Sequence, residues 1–60
     1  MGNLVIKIDM NGAAFEDETE LPRILNLIAF QYVQGNRGKG ILDSNGNRVG
    51  QWTIEQDDNI

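Results

Sequence analysis

Leu42-Asp43-Ser44-Asn45-Gly46-Asn47-Arg48-Val49-Gly50 is the stretch that decides the fold. Asn-Gly is the strongest two-residue signal for a type I′ hairpin turn, whose two central residues both need positive φ. It predicts two antiparallel strands, residues 40–43 and 48–55, joined at Asn45-Gly46. That turn sets Asp43 opposite Arg48, Leu42 opposite Val49 and Ile41 opposite Gly50. Asp43 and Arg48 then form a cross-strand ion pair worth a few tenths of a kcal/mol. This register puts Ile41, Trp52 and Ile54 on one face and Leu42 and Val49 on the other. Either the sheet is apolar on both faces, or a bulge near Gly50 changes the side. Trp52, the one tryptophan, is expected to anchor the sheet against a helix.

The helix lies upstream. Leu21, Ile24, Leu25, Ile28, Ala29 and Tyr32 recur at helical spacing and predict an amphipathic helix over 20–34. Thr19 is the expected N-cap, Pro22 falls in the first turn, where its missing N–H costs nothing, and Gly35 suits the C′ position. Phe15 precedes the helix as a hydrophobic staple. Leu27 and Phe30 project away from the stripe by the 100° step per residue. Either the following loop folds back over Phe30, or the two side chains form a contact surface for another chain.

Further upstream, Leu4, Ile6, Ile8 and Met10 alternate with Val5, Lys7 and Asp9, the period of a strand, which Asn11-Gly12 ends. The residues from 13 to 20 read as a loop, and the tail 56–60 as polar, acidic and frayed. The order is β-α-β-β, an α+β domain with one helix on a three-stranded sheet. Pairing of the first strand with the third gives an antiparallel sheet of order 2-3-1. Pairing with the second would be parallel and need a right-handed crossover. The antiparallel form is the expectation, and it leaves an edge strand open to a second copy or a partner.

Sixty residues make a single domain with a thin stability margin. Without Cys or His the chain has no disulfide, no thiolate nucleophile and no Ser-His or Cys-His pair. No cofactor is expected, and an enzyme is disfavoured. Nine acids against five bases give a net charge of −4, which opposes general binding of nucleic acid. No run of residues is apolar enough for a membrane span. The N-terminus lacks the basic region of a signal peptide, and Ile6 replaces the Ser or Thr of a myristoylation motif. A cytoplasmic protein is expected.

Three further patterns carry chemistry beside plainer readings. Asp43-Ser44-Asn45-Gly46-Asn47 starts like a calcium loop, but Arg48 stands at the sixth position, which needs Gly, and Ile54 at the twelfth, which needs a carboxylate. The hairpin turn is preferred. Gly35-Asn36-Arg37-Gly38-Lys39-Gly40 is too short for a phosphate-binding loop and opens a strand rather than a helix. With Arg48, its Arg37 and Lys39 make a locally basic region that could contact nucleic acid. Glu16, Asp17, Glu18 and Glu20, with Asp9 and with Asp57 and Asp58 of the tail, suit a solvated helix start or an acidic patch that docks on a basic surface.

Residues 8–17 (Ile-Asp-Met-Asn-Gly-Ala-Ala-Phe-Glu-Asp), 21–25 (Leu-Pro-Arg-Ile-Leu) and 42–50 together resemble a group of very small proteins encoded by bacteriophages and prophages. The group shares an Asn-Ala-Ala-Phe-like segment, an Arg-Ile-Leu helix and an Asp-x-Asn-Gly-Asn-x-Val-Gly hairpin. The resemblance spans about residues 4–54, and Gly12 is an insertion before Ala13-Ala14-Phe15. It implies a phage origin. For phage proteins of this size it implies an inhibitor of host defence, anti-CRISPR proteins included, and it assigns no functional residue.

The leading expectation is a non-enzymatic inhibitor of a host nucleoprotein complex. Glu16, Asp17, Glu18 and Glu20 would occupy a basic groove meant for DNA, and Leu27 and Phe30 would anchor to the target or to a second copy. The alternatives are a homodimeric nucleic-acid-binding module using Arg37, Lys39 and Arg48, and a phage structural or regulatory interaction protein.

Overall fold

The computed structural model describes residues 2–56. Strand β1 (Gly2–Ile8) leads through a 3-10 turn (Ala13–Glu16) into helix α1 (Glu20–Val33), then β2 (Gly38–Leu42) and β3 (Arg48–Gln56). The sheet is antiparallel, with β3 between β1 and β2. This is the expected α+β fold in the expected strand order. Gln56 still belongs to β3, and the rest of the acidic tail lies outside the described residues.

β1 and β3 pair without interruption from Gly2↔Gln56 to Ile8↔Gly50. Ile6 and Ile8 therefore share a face with Trp52 and Ile54, and α1 covers it. The core is Ile24 and Ile28 of α1, Ile41 of β2 and Trp52 of β3, with Ile6, Ile8, Phe15, Val49 and Ile54 packed around them. Trp52 is fully buried, and its indole Nε1 donates to Gln31 Oε1 at 2.8 Å. Phe15 packs against this cluster, which includes Ile24 of α1.

The hairpin forms, with a different turn. Asn45 does not have positive φ, which excludes type I′. Gly46 N–H donates to the Asp43 carbonyl at 3.0 Å, and Asp43 N–H to the Asn47 carbonyl at 2.8 Å. Gly46 takes φ +83°, closing a three-residue loop with a type I turn and a glycine bulge. The cause is the Asp43 carboxylate, whose Oδ1 accepts the N–H groups of Asn45 (2.9 Å) and Asn47 (2.8 Å). Asp43 is buried at the turn and does not pair with Arg48, which sits opposite Leu42 instead. Ile41 does face Gly50, so Val49 is the extra residue of a bulge. That settles the open choice: the bulge lets Val49 pack on the core while Leu42 remains exposed.

The helix has the expected start and finish. Thr19 is at the N-cap position, but its side chain caps nothing. Its hydroxyl and its N–H both donate to Asp17 Oδ1, at 2.7 and 2.9 Å. At the other end Gly35 has φ +101°, Gly35 N–H donates to the Tyr32 carbonyl and Asn36 N–H to the Gln31 carbonyl. This is the paired Schellman arrangement that satisfies the last carbonyls of a helix.

Candidate interaction site

Three strands about 4.8 Å apart make a sheet little wider than one helix. Such a sheet can bury a line along α1 but not a broad stripe. The buried line runs through Glu20, Ile24 and Ile28. Leu25 and Tyr32, expected in the core stripe, are 43% and 49% exposed. Among the described residues four hydrophobic side chains are buried, while eight large ones are exposed. Five of those eight are on α1: Leu25, Leu27, Phe30, Tyr32 and Val33.

They divide into two flanks by the 100° step, counted from Ile24. Leu27 and Phe30 lie on one side, toward β2. Leu25, Ala29 and Tyr32 lie on the other, toward β1. The assignment agrees with a groove of about 670 Å³ whose walls include Leu4 of β1, Ile54 of β3 and Ile28, Ala29, Tyr32 and Val33 of α1. On the β2 flank no loop among the described residues folds over Phe30, which is 57% exposed; Leu27 is 40% exposed. The groove on the β1 side has no counterpart in the sequence reading. Apolar spacing gives the amount of hydrophobic surface on a helix, not the width of the sheet that will cover it.

The acids separate by role. Glu20 is buried, and its two carboxylate oxygens accept from Arg23 Nε at 3.1 Å and Nη2 at 3.0 Å. The same carboxylate accepts the Ser44 N–H at 2.8 Å, tying the helix start to the hairpin turn. Arg23 holds the Glu20 carboxyl below its ordinary value, against the effect of desolvation, and Ser44 adds to the lowering. Glu20 is therefore an internal tie, not part of a docking patch. Asp17 is exposed, but its carboxylate takes the Thr19 N–H and hydroxyl, which lower its pKa. Glu16 and Glu18 are exposed acids beside it.

The basic residues do not converge. Lys39 shares the helix-side parity of its partner Trp52. Arg48 instead lies against Gly40, the next residue along β2 and hence on the opposite face, and its guanidinium donates to Gln51 Oε1 at 3.3 Å. Arg37 stacks over the Tyr32 ring at 4.5 Å and donates to the carbonyls of Tyr32 and Asn36. The basic patch expected around the hairpin is thus split between two sheet faces and a helix end.

The chain matches no protein-family model, no curated protein and no solved structure. Among the described residues no helix is long and apolar enough to cross a membrane.

Proposed function

We propose that this chain is a non-enzymatic, phage-encoded inhibitor that docks on a host defence nucleoprotein complex in the bacterial cytoplasm, in the manner of anti-CRISPR proteins. The observation that carries the reading is the exposure of Leu27 and Phe30 on the β2 flank of α1, where nothing among the described residues covers them. A small domain with a thin stability margin has reason to bury such side chains, and an exposed apolar pair on a rigid helix suits a protein contact. Glu16 and Glu18 supply the acidic part of the surface, with Asp17 contributing charge although its hydrogen bonds stay within the chain. Acidic groups ahead of the helix complement a positively charged channel built for DNA. The resemblance to small phage proteins supplies the class of target.

The test uses Leu27→Asp combined with Phe30→Asp. Both positions are exposed, so the double variant should keep the native circular dichroism and the buried-tryptophan fluorescence of Trp52. Phage plating on strains carrying defined DNA-targeting defence complexes measures inhibition. Wild-type protein should restore plating against one of these complexes, and the folded double variant should lose that effect by at least about tenfold. A folded variant with full inhibition would contradict the proposed surface.

A further inference from the structure

We infer that the free edge of β1, with the groove beside it, is the interface for a second copy of this chain, and that two copies join β1 to β1 into one continuous six-stranded sheet. The inference uses the β1 side of the molecule and is independent of the docking surface on the β2 flank.

The first ground is the contrast between the two edges. Proteins blunt exposed edges with charge, proline, bulges or short length. β2 is short, has glycine at Gly38 and Gly40, and meets a bulge. β1 has seven residues, no proline, an unbroken register and a single charge, Lys7. Such an edge is a ready template for pairing.

The second ground is hydrogen-bond parity. Asp9 N–H donates to the Val49 carbonyl at 2.7 Å, in register with the β1–β3 ladder. Antiparallel ladders alternate hydrogen-bonded and non-hydrogen-bonded pairs. Asn3, Val5 and Lys7 therefore direct their backbone groups at β3. Gly2, Leu4, Ile6 and Ile8 direct theirs outward. A two-fold axis through Val5 sets Leu4 against the second copy's Ile6, and Gly2 against its Ile8, as hydrogen-bonded pairs over the whole strand. No slip is needed to satisfy every outward group.

The third ground is side-chain complementarity in that register. Leu4 and Ile6 meet across the seam on the face where Ile6 joins the core. On the other face Lys7 meets Asn3, so the one charge of the strand avoids its own copy. The apolar groove between Leu4 and the Ala29–Val33 side of α1 opens on this same edge. The second copy would bring the matching flank, with Tyr32 and Ala29, against it. Backbone pairing and burial of the groove thus belong to one event.

Sedimentation velocity and amide hydrogen exchange on the whole chain test this. Wild-type protein at high micromolar concentration should sediment at twice the 6.7 kDa chain mass. The amides of Leu4, Ile6 and Ile8 should then be as protected as those of Val5 and Lys7. Leu4→Pro removes an outward N–H, a change an edge strand tolerates, and should return the protein to monomer with Trp52 still buried. Leu4→Lys places two like charges near the seam without touching the backbone and should raise the dimer Kd by at least about tenfold. A wild-type monomer at that concentration, or fast exchange at Leu4, Ile6 and Ile8 beside protected Val5 and Lys7, would overturn the inference. A dimer unaffected by either folded variant would overturn it as well, by placing the contact elsewhere.

Discussion

A methyl group at Gly50 would overlap the carbonyl of Lys7, because the β1 backbone passes directly against this residue at the hairpin bulge. Gly50→Ala must push β1 away from β3 and is expected to cost about 2 kcal/mol, read as a lower urea midpoint. An unchanged midpoint would mean that the two strands separate freely there. Glu20 sets a second limit at this scale. Its carboxyl and that of Asp17 both lie below their ordinary values of 4.5 and 3.8 in the folded chain, by contact with Arg23 and Thr19 respectively. A carboxyl lowered on folding stabilises the fold fully above its unfolded value and progressively less as pH falls through its folded value. Stability should therefore be flat near neutrality and decline in acid below about pH 4.5, and Glu20→Gln should make that decline shallower. Urea unfolding across this range measures it, and an identical acid profile in the variant would remove Glu20 from the account. Its burial was not legible in the sequence. A glutamate in an acidic run reads as solvated, and only the tertiary approach of the Ser44 N–H gives it a second partner.

The elements were legible to different depths. α1 follows from periodicity and its end from Gly35, because these signals are local, whereas Thr19 stands at the start without capping it. Gly35 at φ +101° has open space around its Cα, so Gly35→Ala should cost about 1 kcal/mol through backbone strain alone. Thermal unfolding checks this, and an unshifted midpoint would show that the Schellman turn does not hold the helix end. The hairpin was legible as a hairpin but not in its register. Asn-Gly fits the two central positions of a type I′ turn, and also the last two positions of a type I turn with glycine at the bulge. The Asp43 side chain decides between them by accepting two N–H groups of the loop. That one-residue difference replaced an expected Asp43–Arg48 ion pair with a buried turn aspartate, and split the expected basic patch. The helix stripe differs from its spacing for another reason. Leu25 and Tyr32 have core spacing, but the sheet is too narrow to reach them.

At the scale of the whole molecule, the small core and the exposed apolar surface are one fact. A helix apolar on three sides was placed on a sheet that covers one of them. The two uncovered flanks face different ways, one toward β2 with Leu27 and Phe30, the other toward the open β1 edge with Leu4 and Tyr32. Under the proposed function the first flank would meet the target, and the second would meet another copy. Two copies would then present two target surfaces from one rigid sheet, which raises apparent affinity for a site that both can reach. Glu16 and Glu18 stand free ahead of the helix, while Arg37 and Arg48 are engaged within the chain. Competition with DNA tests whether the protein occupies the DNA-binding channel of its target. Labelled DNA is held by a purified defence complex that the protein inhibits in cells, and the protein is titrated in. Displacement of the DNA is expected, weakened by Glu16→Lys with Glu18→Lys and abolished by Leu27→Asp with Phe30→Asp; DNA that stays bound while the protein saturates the complex would show that the protein does not act by occupying the DNA site.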